Sequence, residues 1–163
     1  MIRSDMSPDI SLAQDHSEVD IILGQVFKTL GAGDANAALK ELDLFWARLA
    51  VHIRAEHLVL FPALIEHNNE STDKITALRD DHDFFMKELA DLIKMLRQAA
   101  DGTEVDLAAI ASRLTVMKDR LKNHNRIEEA DIYPLAASFD TNFHDRIDAQ
   151  LHNLPPRFAS QDQ

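Results

Sequence analysis

Two stretches of this chain repeat one arrangement of side chains that can hold a metal ion. His52-Ile-Arg-Ala-Glu56-His57-Leu-Val-Leu-Phe-Pro62 and His124-Asn-Arg-Ile-Glu128-Glu129-Ala-Asp-Ile-Tyr-Pro134 share a frame in which a glutamate follows a histidine by four residues and an aromatic–proline pair closes the stretch. Upstream of each stands another histidine in an acidic setting, Asp15-His16 and Asp81-His82. Residues four apart on an α-helix lie on one face, one above the other. Each stretch therefore offers an imidazole and a carboxylate to the same point. With His16 and His82 added, six nitrogen and oxygen donors are available, a number and type that suit a pair of first-row transition-metal ions.

Any one of these histidines taken singly reads more simply as a satisfied core or surface residue. The repetition of the whole frame argues against that for the set. Zinc sites usually gather four ligands around one ion, whereas these donors divide into two equivalent sets, with each glutamate spanning the pair. Carboxylate-rich di-iron bundles carry Glu and then His three residues later, and no histidine here has a glutamate at that spacing. Imidazole-rich ligation suits iron, copper or zinc, so ligand type alone leaves the metal open.

Positioning such donors requires long helices, and the composition supplies them. Leu, Ala, Ile, Asp and Glu dominate, while the 163 residues include only 4 Gly and 5 Pro. Nothing reads as alternating β-strands. Apolar stripes at helical spacing predict helices over about Ser11–Leu30, Ala35–His67, Thr72–Ala100 and Val105–Ala137, and a short fifth over Thr141–Leu151. Pro62 and Pro134 should kink or weaken the last turns of the second and fourth. Gly31 and Gly33 end the first helix, with Asp34 as N-cap of the second, and Asp101-Gly102 ends the third. Such short breaks force antiparallel neighbours, so the expected fold is an all-α, up-down-up-down four-helix bundle with a short C-terminal helix. The bundle should occupy residues 11–152, between a flexible N-terminus (1–10) and a flexible tail (153–163).

A formal charge of −11 argues against nucleic-acid and anionic-membrane partners, which call for a basic patch. The absence of cysteine excludes disulfides, thiolate zinc sites and Fe–S clusters. No apolar run approaches a membrane span, and the N-terminus lacks a signal-peptide pattern, so a cytoplasmic location is expected.

The paired motifs, with Asp-His16 and Asp-His82 upstream and Phe-Pro62 and Tyr-Pro134 at the ends, resemble those of the hemerythrin-like, or HHE cation-binding, domains. The resemblance covers Ser11 to about Ala137. It implies a non-haem centre of two iron ions with an oxo or hydroxo bridge. Glu56 and Glu128 would bridge the irons, His16 and His52 would hold one, and His82 and His124 the other. It implies O2, NO or peroxide as the small-molecule partner, in a protein that binds or senses and has no assigned catalytic residue. A di-iron oxidase or peroxidase-like enzyme and a bundle with a purely structural metal are the alternatives.

In one respect the chain departs from the oxygen carriers of that family, which have a further histidine one turn after the ligand on the third helix. Met86 stands there, and a thioether is a poor ligand for ferric iron. Water, Glu129 or Asp20, the repeat counterpart of Met86, could fill the place. Phe85, Leu60 and Ile132, with Val59, Leu89 and Leu121, are expected in the core around the ligands and as the wall of a small apolar pocket. By helical geometry His57 should flank the site. His67, His144 and His152 read as surface residues, and Tyr133 and Trp46 as core aromatics or hydrogen-bonding neighbours.

Overall fold

The computed structural model describes residues 8–67 and 69–155. Four long rods form the bundle. The first is α1 (Pro8–Gly31). The second joins α2 (Ala35–Ala55), a π-helical turn (Glu56–Leu60) and α3 (Phe61–His67). After a 3₁₀ turn (Asn69–Ser71) comes α4 (Thr72–Ala100). The fourth rod joins α5 (Leu107–Ile127), a second π-helical turn (Glu128–Ile132) and a 3₁₀ turn (Tyr133–Ala136). A short α6 (Thr141–Leu151) follows. α1 packs on α2, α2 on α4, α4 on α5 and α5 on α1, which closes the bundle.

Local chemistry explains the joints. Gly33 and Gly102 adopt φ of 75° and 93°, a region that costs other residues energy, and so reverse the chain after α1 and α4. Asp34, Asp106 and Asp140 cap α2, α5 and α6 by accepting backbone N–H bonds from Ala37, Ala108 and Ala109, and Phe143. α1 begins at Pro8 rather than near Ser11, so residues 8–10 belong to the helix. Residues 153–155 follow α6 without regular structure, and the rest of the two segments expected to be flexible, 1–7 and 156–163, lies outside the described residues.

In the second and fourth rods the disturbance expected at the prolines takes the form of a π-helical turn just before each one. A proline ring clashes with the carbonyl four residues back and offers no N–H. At Pro62 and Pro134 the chain responds by widening one turn before the proline: the Phe61 N–H bonds to the Glu56 carbonyl and the Tyr133 N–H to the Glu128 carbonyl, each five residues back. The two π turns thus begin at the two glutamates of the repeat.

Two apolar clusters fill the interior. One lies toward the Gly33 end and includes Leu23, Phe45, Leu89, Leu114 and Met117. The other includes Leu12, Leu64, Leu78 and Tyr133, and is covered by Phe143 and Ile147 of α6. Between them runs a layer of His16, His52, Glu56, His82, His124 and Glu128, all buried. Each large apolar side chain stabilises the fold by roughly 1.5–3 kcal/mol when fully buried, whereas buried charges are costly unless paired. A polar layer in that place therefore calls for a chemical explanation.

Candidate metal centre

The layer resolves into two sets of donors. His16, His52, Glu56 and Glu128 form one, and Glu56, His82, His124 and Glu128 form the other; within each set the candidate ligand atoms lie within 4.8 Å of one another. The two glutamates belong to both sets, with one oxygen facing each. Oε2 of Glu56 is 3.5 Å from His52 Nε2, while its Oε1 is 3.2 Å from His82 Nε2. Oε1 of Glu128 is 3.2 Å from His16 Nε2, and its Oε2 is 3.2 Å from His124 Nε2.

Outer partners orient all four imidazoles. The Nδ1 of His52 meets Asp15 at 2.8 Å and that of His124 meets Asp81 at 3.0 Å. His16 Nδ1 meets Glu129 at 2.8 Å, and His82 Nδ1 meets His57 Nε2 at 2.7 Å. Arg48 and Arg120 each bond the far oxygen of Asp15 and Asp81, at 2.9 Å in both cases. Partners on Nδ1 leave every Nε2 directed at the shared interior, which is how metal-binding histidines are usually held.

The residues present fit a metal. Glu56 Oε1 and Glu128 Oε2 are buried without a hydrogen-bond partner, although imidazole nitrogens stand close by. The Nε2 atoms of His82 and His124 face each other at 3.1 Å. Orphaned carboxylate oxygens and converging imidazole nitrogens are what a cation would satisfy, displacing the imidazole protons.

A family model for the hemerythrin HHE cation-binding domain matches residues 9–136. The chain belongs to that family. No curated protein and no solved structure gave a significant match.

In this hemerythrin-family chain the six expected donors meet in one layer, and the surrounding residues divide. Phe85, Leu60 and Ile132 are fully buried, and the Phe85 ring stands edge-on to His124 at 5.3 Å. Met86 is half-buried and packs against the larger apolar cluster. Asp20 is exposed and belongs to neither donor set. Glu129 orients His16 and belongs to neither donor set. His57 flanks the site as helical geometry requires, and it does so as the partner of His82. His144 is half-buried, its Nε2 donating to the Phe139 carbonyl, so it is less exposed than expected. A cavity of about 640 Å³ between α1, α2 and α5 reaches His16 and His52 and is lined by Asp20, Leu49, Leu121 and Lys122.

Spacing alone leaves two features of the centre unread and a third read only in part. Asp15 and Asp81 were noted only as acidic neighbours, though each precedes a histidine and orients the next histidine of its half. Arg48 and Arg120 each stand four residues before His52 and His124, which extends the repeat to Arg, His, Glu at intervals of four. The third is Tyr133, whose hydroxyl lies inside the first donor set.

Charge in the layer is mutually supported. Burial opposes charge on His52, but Glu56 and Asp15 outweigh it and raise its pKa well above the usual value. Burial likewise opposes His82, yet Glu128 and Glu56 raise it to about 9. Burial and Glu128 press Glu56 toward its neutral form, and His52 and His82 prevail to lower it. Glu128 is held well below the carboxylate range, because His124, His16 and His82 overcome its burial. His57 goes the other way: burial and the charge on His82 depress it, so it accepts the His82 Nδ1 proton as a neutral imidazole.

Removing an outer partner should loosen metal without removing a donor. Asp15→Asn or Asp81→Asn is expected to weaken metal affinity by about 10–100-fold, the usual effect of losing such a partner. A competition titration with a chromogenic chelator reads it directly. Affinity unchanged in both variants would show that these aspartates do not orient ligands.

Proposed function

We propose that this protein carries two non-haem iron ions and uses them to bind or sense O2, NO or iron status in the cytoplasm. The observation that carries this reading is the sharing of two buried carboxylates between two histidine pairs, one oxygen of each toward each pair. An iron pair so held, joined by an oxo or hydroxo bridge, supplies two adjacent redox centres able to take up a small oxidant. The chain contributes the rest. His16, His52, His82 and His124 would hold the ions as neutral donors, their outer partners fix the Nε2 direction, and the apolar clusters shield the layer above and below, leaving the cavity at His16 and His52 as its approach.

The test is metal analysis of protein purified from iron-replete cells, with an optical spectrum after oxidation. About two irons per chain and near-ultraviolet absorption of a histidine-ligated oxo-bridged ferric pair are expected. Zinc in their place would contradict the reading.

The cavity that reaches His16 and His52 favours a second reading, a di-iron oxidase or peroxidase-like activity, since it leaves room for a reducing substrate. Turnover of peroxide with a reductant separates the two, and a centre that exchanges iron for zinc without loss of function would favour a purely structural metal. Met86 bears on the same choice. Met and His have comparable reach, so Met86→His should fit without severe overpacking. The substitution should change the optical spectrum and reduce any peroxide turnover by filling a place near His82. An unaltered spectrum and turnover would leave Met86 as a core residue only.

A further inference from the structure

The two halves of the centre match in most donors and partners; His57 and Glu129 differ as outer partners, and a second difference falls just before each proline. Phe61 and Tyr133 are counterparts in the repeat, each immediately before its proline. Phe61 stacks on His82 with ring centroids 6.0 Å apart, and Tyr133 on His16 at 5.5 Å. Only Tyr133 brings an oxygen. Its hydroxyl donates to Glu56 Oε2 at 2.6 Å and lies 3.1 Å from Glu128 Oε1, 3.0 Å from His16 Nε2 and 3.2 Å from His52 Nε2. One phenolic proton cannot serve four such neighbours. All four are donor residues of the first set.

We infer that Tyr133 is a fifth protein ligand of the ion held by His16, His52, Glu56 and Glu128. This rests on the two-iron reading above. Donors bound about 2.1 Å from one ion in octahedral arrangement have neighbours about 3.0 Å apart, and the phenol oxygen keeps that spacing to Glu128, His16 and His52, with Glu56 closer through its hydrogen bond. The π turn is what puts it there. Tyr133 follows Glu128 by five residues, which on an α-helix would place it about 140° away around the axis. The five-residue hydrogen bond of the π turn brings the two nearly into line.

A phenol binds as phenolate, a hard oxygen donor of the kind that tyrosine supplies to ferric haem. As the oxygen–metal bond forms, the O–H bond breaks and the proton passes to solvent; a bound cation makes that loss favourable, as it does for thiols and water. The two ions then differ: the first has five protein donors, the second four, with only the Phe61 ring in the corresponding place. Open coordination is therefore concentrated on the ion held by His82 and His124.

Tyr133 is the chain's single tyrosine, so any phenolate signal belongs to it. The full chain is loaded with ferrous iron, oxidised in air, and examined by visible absorption and by resonance Raman spectroscopy within the visible band. A phenolate-to-iron charge-transfer band with enhanced tyrosinate ring modes is expected. Tyr133→Phe should abolish both while iron stays near two per chain. Two irons per chain with no tyrosinate modes would overturn the ligand assignment and leave the di-iron reading intact. Failure to take up iron at all would overturn both.

Discussion

If each of the two donor sets holds one iron, as proposed, alanine in place of His52 or His124 should leave about one bound iron per chain. Each substitution removes a donor from one set only: His52 serves the first and His124 the second. The remaining donors of a depleted set are one imidazole and two shared carboxylates, joined by the Tyr133 oxygen in the first set only, and both carboxylates also serve the neighbouring ion. Glu128→Ala should be more severe, because that carboxylate gives an oxygen to both sets, and both ions should fall to trace occupancy. Metal analysis after gel filtration reads the three variants, and circular dichroism checks that each is helical. Two irons retained in both histidine variants would show that the convergence of these side chains has another purpose.

The resolution of that experiment depends on a duplication that was legible from spacing alone. Histidine and glutamate four apart, twice, on apolar helical stripes, place the six donors in one layer, because in a closed bundle the stripes must face each other. Short breaks at Gly33 and Gly102 made the antiparallel order equally legible. What spacing concealed was the local response to Pro62 and Pro134. Prolines near the helix ends predict a kink, but whether the chain bends, breaks or widens depends on packing around the preceding turn. It widened, and residues 61 and 133 came toward the face of the glutamates five residues before them. On ideal α-helical geometry Tyr133 is a core aromatic; on the π turn its hydroxyl meets two histidines and two glutamates. The outer partners were concealed for a different reason. Asp15, Asp81 and Glu129 act across helices, as does His57, whose place beside the site was legible but whose partner was not; no periodicity within one helix records which neighbour such a side chain will meet. Arg48 and Arg120 could have been read, since both extend the repeat by one helical turn.

The stabilisation that metal gives this fold should grow as pH rises. In metal-stripped protein the charges of Glu56 and Glu128 are balanced by protonated imidazoles, among them His82, whose burial is outweighed by those same carboxylates so that its pKa stands at about 9 in place of 6.5. A folded-state pKa raised above the unfolded one contributes stability that is complete below pH 6.5 and lost as pH climbs through 9. For His82 this difference corresponds to roughly 3 kcal/mol, and His52 and His124 are raised in the same direction. Glu56 and Glu128 do not alter the trend: both are lowered, so their contribution is complete above the ordinary carboxylate value of 4.5 and constant through this window. At about 2–4 °C per kcal/mol for a domain of this size, the melting temperature of chelated protein should fall by roughly 6–12 °C between pH 6.5 and 9. Loaded protein should change far less, because bound metal keeps the imidazoles neutral at both ends of the window and stabilises the folded state by mass action. The gap between the two forms should therefore be smallest near pH 6.5 and widest near 9. Scanning calorimetry of both forms across the window decides the matter. A chelated form whose melting temperature is flat or rising there would mean that protonated histidines do not balance the buried carboxylates.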